Sequence, residues 1–250
     1  MSAPEFNAVL IGATSAIATE TARAMVAEKT CRLLLVGRDP VKLEAVAQDL
    51  RVRGATVEIQ TADFLDPSTD WQGMLQSFAA GRALDYVLVA HGELSDQDAC
   101  LADGPAFARS IAVNFTSAAF IASVAAEILA AQGHGTLGVI GSVAGDRGRQ
   151  SIFLYGSAKA GLDTFLEGLR HFHAGKPGVK IVTIKPGLID TPMTADVKKG
   201  PLCTSAEKAG QLVWKAMRTG KPVAYIPGWW RWILLVIRLV PRAIFYRTRL

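Results

Sequence analysis

The sequence is poor in cysteine. Cys31, Cys100 and Cys203 are odd in number, far apart and in no metal-ligand spacing; this excludes a disulfide framework or a zinc site and fits a reducing, cytoplasmic compartment. No metal is expected. The chain opens without the charged segment and cleavage site of a signal peptide, so export is not expected. No internal repeat, low-complexity segment or linker-like run divides the 250 residues, which leaves one domain as the expectation. Acidic residues are missing from one region: between Lys221 and Leu250 stand Lys221, Arg231, Arg238, Arg242, Arg247 and Arg249, and no acid. The net charge of +5 is therefore a property of the tail, because the remaining 21 bases and 22 acids nearly cancel. A nucleic-acid surface needs Lys and Arg along a face of the body, so nucleic acid is not an expected partner.

What is present is a globular balance, 50% hydrophobic and 20% charged. Short apolar runs at Ala8–Ile11, Arg32–Val36, Thr56–Thr61, Tyr86–Ala90, Leu137–Ile140 and Lys180–Ile184 read as strands. Amphipathic or Ala-rich stretches between them, Ala16–Glu28, Pro40–Arg53, Asp70–Gly81, Phe107–Gln132 and Tyr155–Ala174, read as helices. Gly54, Gly81 and Gly175 fall where helix C-terminal caps are expected. A repeating β-α order predicts an α/β fold with a parallel sheet wrapped on both faces. Ligands of such sheets bind outside the carboxyl ends of the strands.

The first strand runs into Gly12-Ala13-Thr14-Ser15-Ala16-Ile17-Ala18, a turn of small residues opening a helix, where backbone amides and the helix dipole can receive phosphate. A tight turn with no ligand explains the same residues. The second strand ends in Gly37-Arg38-Asp39. An arginine there suits a ribose 2′-phosphate and favours NADP(H) over NAD(H), while Asp39 argues the other way. Asp63, with Phe64 beside it, follows the third strand, and Ala90-His91-Gly92 the fourth; either can border an adenine, and His91 can equally be a plain strand-end residue.

Tyr155 and Lys159 stand one helical turn apart in Tyr-Gly-Ser-Ala-Lys, downstream of Ser142 in Gly-Ser-Val-Ala-Gly. Positions i and i+4 share a helix face, so the ammonium can approach the phenol and lower its pKa from about 10. Such a tyrosine is a usable acid or base, and Ser142 can hold the same carbonyl oxygen. A surface Tyr-Lys pair is the bland alternative.

Taken in order, Gly12 to Ala18, Asn114, Ser142, Tyr155, Lys159 and Pro186-Gly187 resemble the short-chain dehydrogenase/reductase family, over about residues 6–227. The resemblance implies a Rossmann-like doubly wound sheet and a nicotinamide dinucleotide. It implies Tyr155 as general acid in reduction, Ser142 polarising the carbonyl, Lys159 lowering the tyrosine pKa and holding the nicotinamide ribose, and Asn114 positioning a relay water. It also implies cofactor contacts from Gly12, Thr14, Ser15, Ala16, Ile17, Arg38, Asp63, Phe64, Ala90, Gly92, Tyr155 and Lys159. Pro186, Gly187, Ile189 and Thr191 match the loop that contacts nicotinamide. Ala16 and Ala18 replace glycines of the usual loop, and Val89-Ala90-His91-Gly92 replaces Asn-Asn-Ala-Gly; Ala16 requires that the loop admit a methyl without positive φ. Relatives commonly pair the helices at 107–132 and 155–174 between subunits, which implies a homo-dimer or homo-tetramer. A dinucleotide-sensing binding protein, or an epimerase using transient oxidation, are the competing functions.

Residues 1–228 are thus expected to form the Rossmann domain and 229–250 an amphipathic tail. On a helix of about 100° per residue, Arg231, Arg238, Arg242 and Arg249 fall within roughly ±20° of one direction, leaving Trp229, Trp230, Trp232 and an aliphatic surface elsewhere. No apolar run there reaches the ~20 residues of a span, and Pro241 should end the helix. In-plane contact with a membrane surface, on its inner face, through Trp229, Trp230, Trp232, Arg238 and Arg242 is one reading. Packing over the substrate site or across an oligomer interface is the other. With Tyr225-Ile226-Pro227-Gly228 before it, this ending is similar to that of the bacterial reductases acting on a keto-sugar carried by a polyprenyl phosphate, the group of the decaprenylphosphoryl-ribose 2-epimerase reductase subunits. That resemblance implies an amphiphilic or lipid-linked ketone or alcohol as substrate. Lys198-Lys199, in the short loop after Met193, can meet a phosphate or face water.

Overall fold

The computed structural model describes residues 6–79, 81–176 and 178–248. Six strands stand where the apolar runs predict them: β1 (Phe6–Ile11), β2 (Cys31–Gly37), β3 (Thr56–Thr61), β4 (Tyr86–Val89), β5 (Gly135–Ile140) and β6 (Val179–Pro186). Two-residue strands β7 (Ile189–Asp190) and β8 (Thr204–Ser205) pair apart from the main sheet, and β9 (Val223–Ile226) forms its edge. The seven-stranded sheet is parallel, in the order β3-β2-β1-β4-β5-β6-β9. The chain starts in the middle, works outward to β3, then crosses back to β4, which leaves a crevice beyond the carboxyl ends of β1 and β4.

Side chains alternate across a strand, and β1 shows the consequence. Ala8 and Leu10 enter one buried cluster, with α1 (Ala16–Glu28), α2 (Pro40–Val52) and α8 (Ala206–Thr219); Val9 and Ile11 enter the other, with α3 (Trp71–Ala79), α6 (Ser117–Gln132) and α7 (Phe153–Phe172). Small residues set the closest approaches. A Cβ on Gly210 of α8 would lie 2.5 Å from the backbone of Glu20 on α1.

Between β4 and α6 lie α4 (Gln97–Ala102), α5 (Gly104–Ile111) and a π-helical turn over Ala112–Thr116. The single helix expected from 107 is therefore three segments, and the π turn carries Asn114. Gly104–Gln132 is apolar and long enough to cross a membrane by composition, yet half of its most apolar window is buried in the fold. Gly54 and Gly81 have positive φ as expected, but Gly175 does not; Gly133 and Gly220 are left-handed caps of α6 and α8.

The tail forms α9 (Trp230–Leu239), ends before Pro241, and resumes as α10 (Arg242–Phe245). Its inner face is docked on the body: Trp230 and Leu234 are buried with Val143, flanked by Leu188, Tyr225, Ile233 and Ile237. Arg147 donates to the carbonyls of Ile237 and Val240, and its guanidinium lies 3.7 Å from the centre of the Phe245 ring. Trp230 is thus corrected from a membrane-contact residue to a core residue, whereas Trp229, Trp232, Arg238 and Arg242 stay exposed. Arg249 lies outside the described residues.

Candidate active site

A cleft of about 750 Å³ runs across the carboxyl ends of β1, β4, β5 and β6. Backbone bonds fix its rim: Ala90 N donates to Ile11 O (2.8 Å), Gly141 N to Ile184 O (2.7 Å) and Gly187 N to Ile226 O (2.9 Å). Ser15, Ile17, Ala90, Gly92, Ser142, Tyr155, Lys159, Pro186, Gly187, Ile189 and Thr191 all line it. The sequence scattered these residues over five segments, and the strand order gathers them.

Two glycines bring Ser142 to the Tyr-Lys helix. A Cβ on Gly156 would lie 2.8 Å from the carbonyl oxygen of Ala144, and one on Gly145 would lie 2.8 Å from Ala160 N. The short helix over Val143–Asp146 therefore lies directly on α7. Ser142 Oγ accepts from Ala144 N at 3.0 Å, and its hydroxyl bonds to the Tyr155 phenol. Lys159 is 2% exposed and Nζ donates to Ile140 O at 3.0 Å. Asn114 is fully buried; Nδ2 donates to the carbonyls of Glu93 (2.9 Å) and Ser110 (3.0 Å), and Oδ1 accepts from Glu93 N (3.1 Å). Gly92 joins Asn114 to Lys159: a Cβ there would lie 3.0 Å from Asn114 Oδ1 and 3.6 Å from Lys159 Nζ.

The electrostatics correct one expectation. Tyr155 is pushed up to about 12, by burial first, with the Ser142 hydroxyl opposing and the Asp163 carboxylate adding to the rise. Lys159 does not lower it. Its Nζ is 5.8 Å from the ring centre and bonded to a carbonyl, and burial brings the lysine itself down to about 8 against the pull of Asp163. Behind the pair lies an ionic group missed in the sequence. Lys185 bonds to Asp146 and, at 2.6 Å, to Asp163, and Tyr225 donates to Asp146 at 2.8 Å. Burial opposes a charged Lys185, but the two carboxylates hold its pKa above the usual value. The spacing of Asp146 and Asp163, each four residues after a site residue, was the available signal.

The other expected cofactor residues stand outside the cleft walls. Gly12 has φ +83°, and a Cβ on it would lie 2.6 Å from His91 N, so the turn tolerates only glycine. Thr14 is exposed, while Ala16 opens α1 in helical conformation, which settles how its methyl is admitted. Ala18 is fully buried between helix and sheet. The Ser15 side chain makes no capping bond and leaves its hydroxyl unspent at the helix N-terminus. Arg38 is exposed beyond β2. Asp39 caps α2, its Oδ1 accepting from Val41 N and Lys42 N at 3.0 Å. Asp63 faces a separate groove of about 600 Å³ beside β3. Phe64 stacks between Trp71 and His91, with centroids at 6.0 and 4.4 Å. His91 is a structural residue: Nε2 meets Ser117 Oγ at 2.9 Å, and burial, with the charges of Lys159 and Arg38, lowers it to about 3. Lys199 pairs with Asp190 at 2.5 Å.

Residues 7–201 match the family described as short chain dehydrogenase. The chain is 34% identical to an uncharacterized oxidoreductase of Streptomyces coelicolor, over 98% of this chain and 97% of that one. It is 32% identical to an uncharacterized oxidoreductase of Mycobacterium tuberculosis, over 96% and 95%. Among solved structures, a Sphingobium yanoikuyae short-chain dehydrogenase in complex with NADPH superposes with a TM-score of 0.78 at 21% identity, covering 95% of this chain and 97% of that one. A Mycobacterium ulcerans short-chain type dehydrogenase/reductase reaches 0.78 at 18% identity, over 99% and 100%. The chain belongs to the short chain dehydrogenase family and is an NAD(P)-dependent oxidoreductase.

Proposed function

We propose that the protein moves hydride between NADP(H) and a ketone or secondary alcohol on an amphiphilic substrate. The observation that carries this reading is that Ser142, Tyr155 and Lys159 line the same cleft as Ser15, Ile17 and the loop over 186–191. The residues fit a dinucleotide: Gly12 leaves no room for a side chain, and Ser15 keeps a free hydroxyl at the start of α1. A bound nicotinamide supplies or accepts the hydride. Exposed Arg38, beside an Asp39 whose Oδ1 is engaged as the cap of α2, supports NADP(H) over NAD(H).

Tyr155, near 12, is protonated at neutral pH and so is poised to give its proton to a carbonyl oxygen. Ser142, held by Ala144 N and bonded to the Tyr155 phenol, stands where both hydroxyls can meet that oxygen. Lys159, near 8, exchanges protons readily at neutral pH and can restore the phenol, with Asn114 fixed beside it across Gly92. The outer face of α9, with Trp232, Val236 and Leu239 exposed next to Arg231 and Arg238, supports contact with an anionic lipid surface. Exposed Phe120 on α6 and Phe172 on α7 support pairing of those helices between subunits.

The test is Tyr155→Phe. NADPH affinity is expected to survive while kcat for carbonyl reduction falls by about 10²–10⁴-fold; undiminished turnover refutes the reading.

A further inference from the structure

Among the described residues, three that line the cleft carry a buried side-chain nitrogen without a partner: His91 Nδ1, whose ring is already held by Ser117, and two obligate donors, Arg149 Nε and Trp230 Nε1. Unsatisfied buried donors are costly and few, and in a cleft the group that satisfies them is commonly the ligand. Arg149 lies in the segment between Ser142 and Tyr155 and is half-buried. The carboxylate that acts on it, Asp146, is already bonded to Lys185 and Tyr225. Of the two acids on the rim, Asp96 caps α4 and Asp196 is exposed to water. The segment leaves the end of β5, two strands and roughly 10 Å from the phosphate-receiving turn after β1. A cofactor pyrophosphate at that turn does not reach it. The same cleft is lined by the apolar side chains of Leu94, Ile152, Met193, Val197 and Trp230.

We infer that the substrate carries an anionic oxygen group, a carboxylate or a phosphate, bound by Arg149 with the Trp230 indole N–H as a second donor, and an apolar chain in the remainder of the cleft. This rests on the carbonyl-redox reading for the identity of the pocket, not for the anion itself. A guanidinium is the side chain suited to such a group, since it pairs with two oxygens at once. Arg149 then sets both affinity and the orientation of the carbonyl toward Ser142 and Tyr155.

Calorimetric titration of decanoate, decyl phosphate and decanol into the full-length protein, with and without NADP⁺, tests it. Both anions, or one of them, should bind at least tenfold more tightly than decanol, and the tighter of the two identifies the group. Arg149→Met should abolish that preference, a loss of roughly 10- to 100-fold; Arg149→Lys should keep part of it, and Trp230→Phe should weaken the anions but not decanol. Thermal melts check that each variant is folded. Equal affinity for all three probes, no binding of any, or an Arg149→Met protein that binds the anions as the parent does, overturns the proposal. Arg149-dependent anion binding in a protein whose turnover ignores Tyr155→Phe leaves the anion site standing and removes the redox reading. Tyr155-dependent turnover without anion preference does the reverse.

Discussion

Trp230 occupies the space into which any side chain on Gly187 would project, so the C-terminal helix and the loop after β6 are fitted to one another with no room for a methyl group. Gly187 is also a residue of the proposed nicotinamide loop, and Trp230 a wall of the cleft. Gly187→Ala should push Trp230 outward and destabilise the fold by about 1–3 kcal/mol, the usual cost of overpacking. The expected signature is a red-shifted tryptophan emission, with weaker substrate and NADPH binding. Adding Trp230→Ala should recover part of the stability lost to the alanine, because residues in contact couple. Additive losses in the double variant, measured by denaturant unfolding, contradict the fitted contact.

The shifted pair gives stability a pH dependence of two signs. Lys159 has a folded pKa of about 8, below its unfolded value near 10.5, so the unfolded chain binds more protons between those limits. Stability from this group therefore rises as pH climbs from about 8 to 10.5, by up to ~3 kcal/mol. Tyr155 acts oppositely: its folded pKa of about 12 exceeds the usual 10, so its contribution is complete below pH 10 and is lost as pH rises through 12. Lys159→Met should flatten the rise and Tyr155→Phe the fall. Parallel stability-pH curves for parent and variants would show that neither group is perturbed.

Strands β1 to β6 and four of the helices are legible because their apolar patterns run unbroken. Ala16–Glu28 is observed at the predicted residues, and β1 to β6 differ from expectation only at their ends. The misses have physical causes. In α8 the buried Ala209, Val213, Ala216 and Met217 follow a helical period, but the stretch is polar on average and follows a loop, so its apolar stripe does not stand out. The edge strand β9 is four residues long, too short for an alternation to stand out before the tail. Asn114 was found by its place in the motif, yet the π turn that carries it depends on hydrogen bonding that a pattern does not encode. The tyrosine pKa went wrong for a related reason. An i, i+4 spacing places two side chains on one face, but it does not say that Lys159 will spend its ammonium on the Ile140 carbonyl.

Cofactor choice should turn on Arg38 alone. Arg38→Ser is expected to weaken NADPH by about 10- to 100-fold, the worth of charge-assisted bonds to a phosphate, with NADH little changed. Asp39→Ala separates the capping role from a ribose role: it removes the acceptor for Val41 N and Lys42 N, so it should cost about 1 kcal/mol of stability and leave the NADPH/NADH ratio unchanged. Titration of both cofactors against both variants decides. An unchanged ratio in Arg38→Ser removes the NADP(H) preference from the proposal.

Deleting the tail is a poor test of lipid contact, because Trp230 and Leu234 are part of the core and one of them lines the cleft. The outer face separates the two roles. Trp232 is 64% exposed and Leu239 72%, and they lie on the side of α9 away from the body. Each apolar side chain entering the headgroup region is worth roughly 1.5–3 kcal/mol at full burial, and each arginine near an anionic surface about 1 kcal/mol, screened by salt. Trp232→Ser with Leu239→Ser should therefore reduce flotation on vesicles containing phosphatidylglycerol by at least tenfold, with the melting temperature and the turnover of a water-soluble ketone unchanged. Arg238→Gln with Arg242→Gln should abolish the difference between anionic and phosphatidylcholine vesicles and its salt dependence. If the outer-face variant floats as the parent does, the exposed apolar strip has another partner, and pairing of two copies through α9, read from sedimentation of the parent against the variant, becomes its explanation.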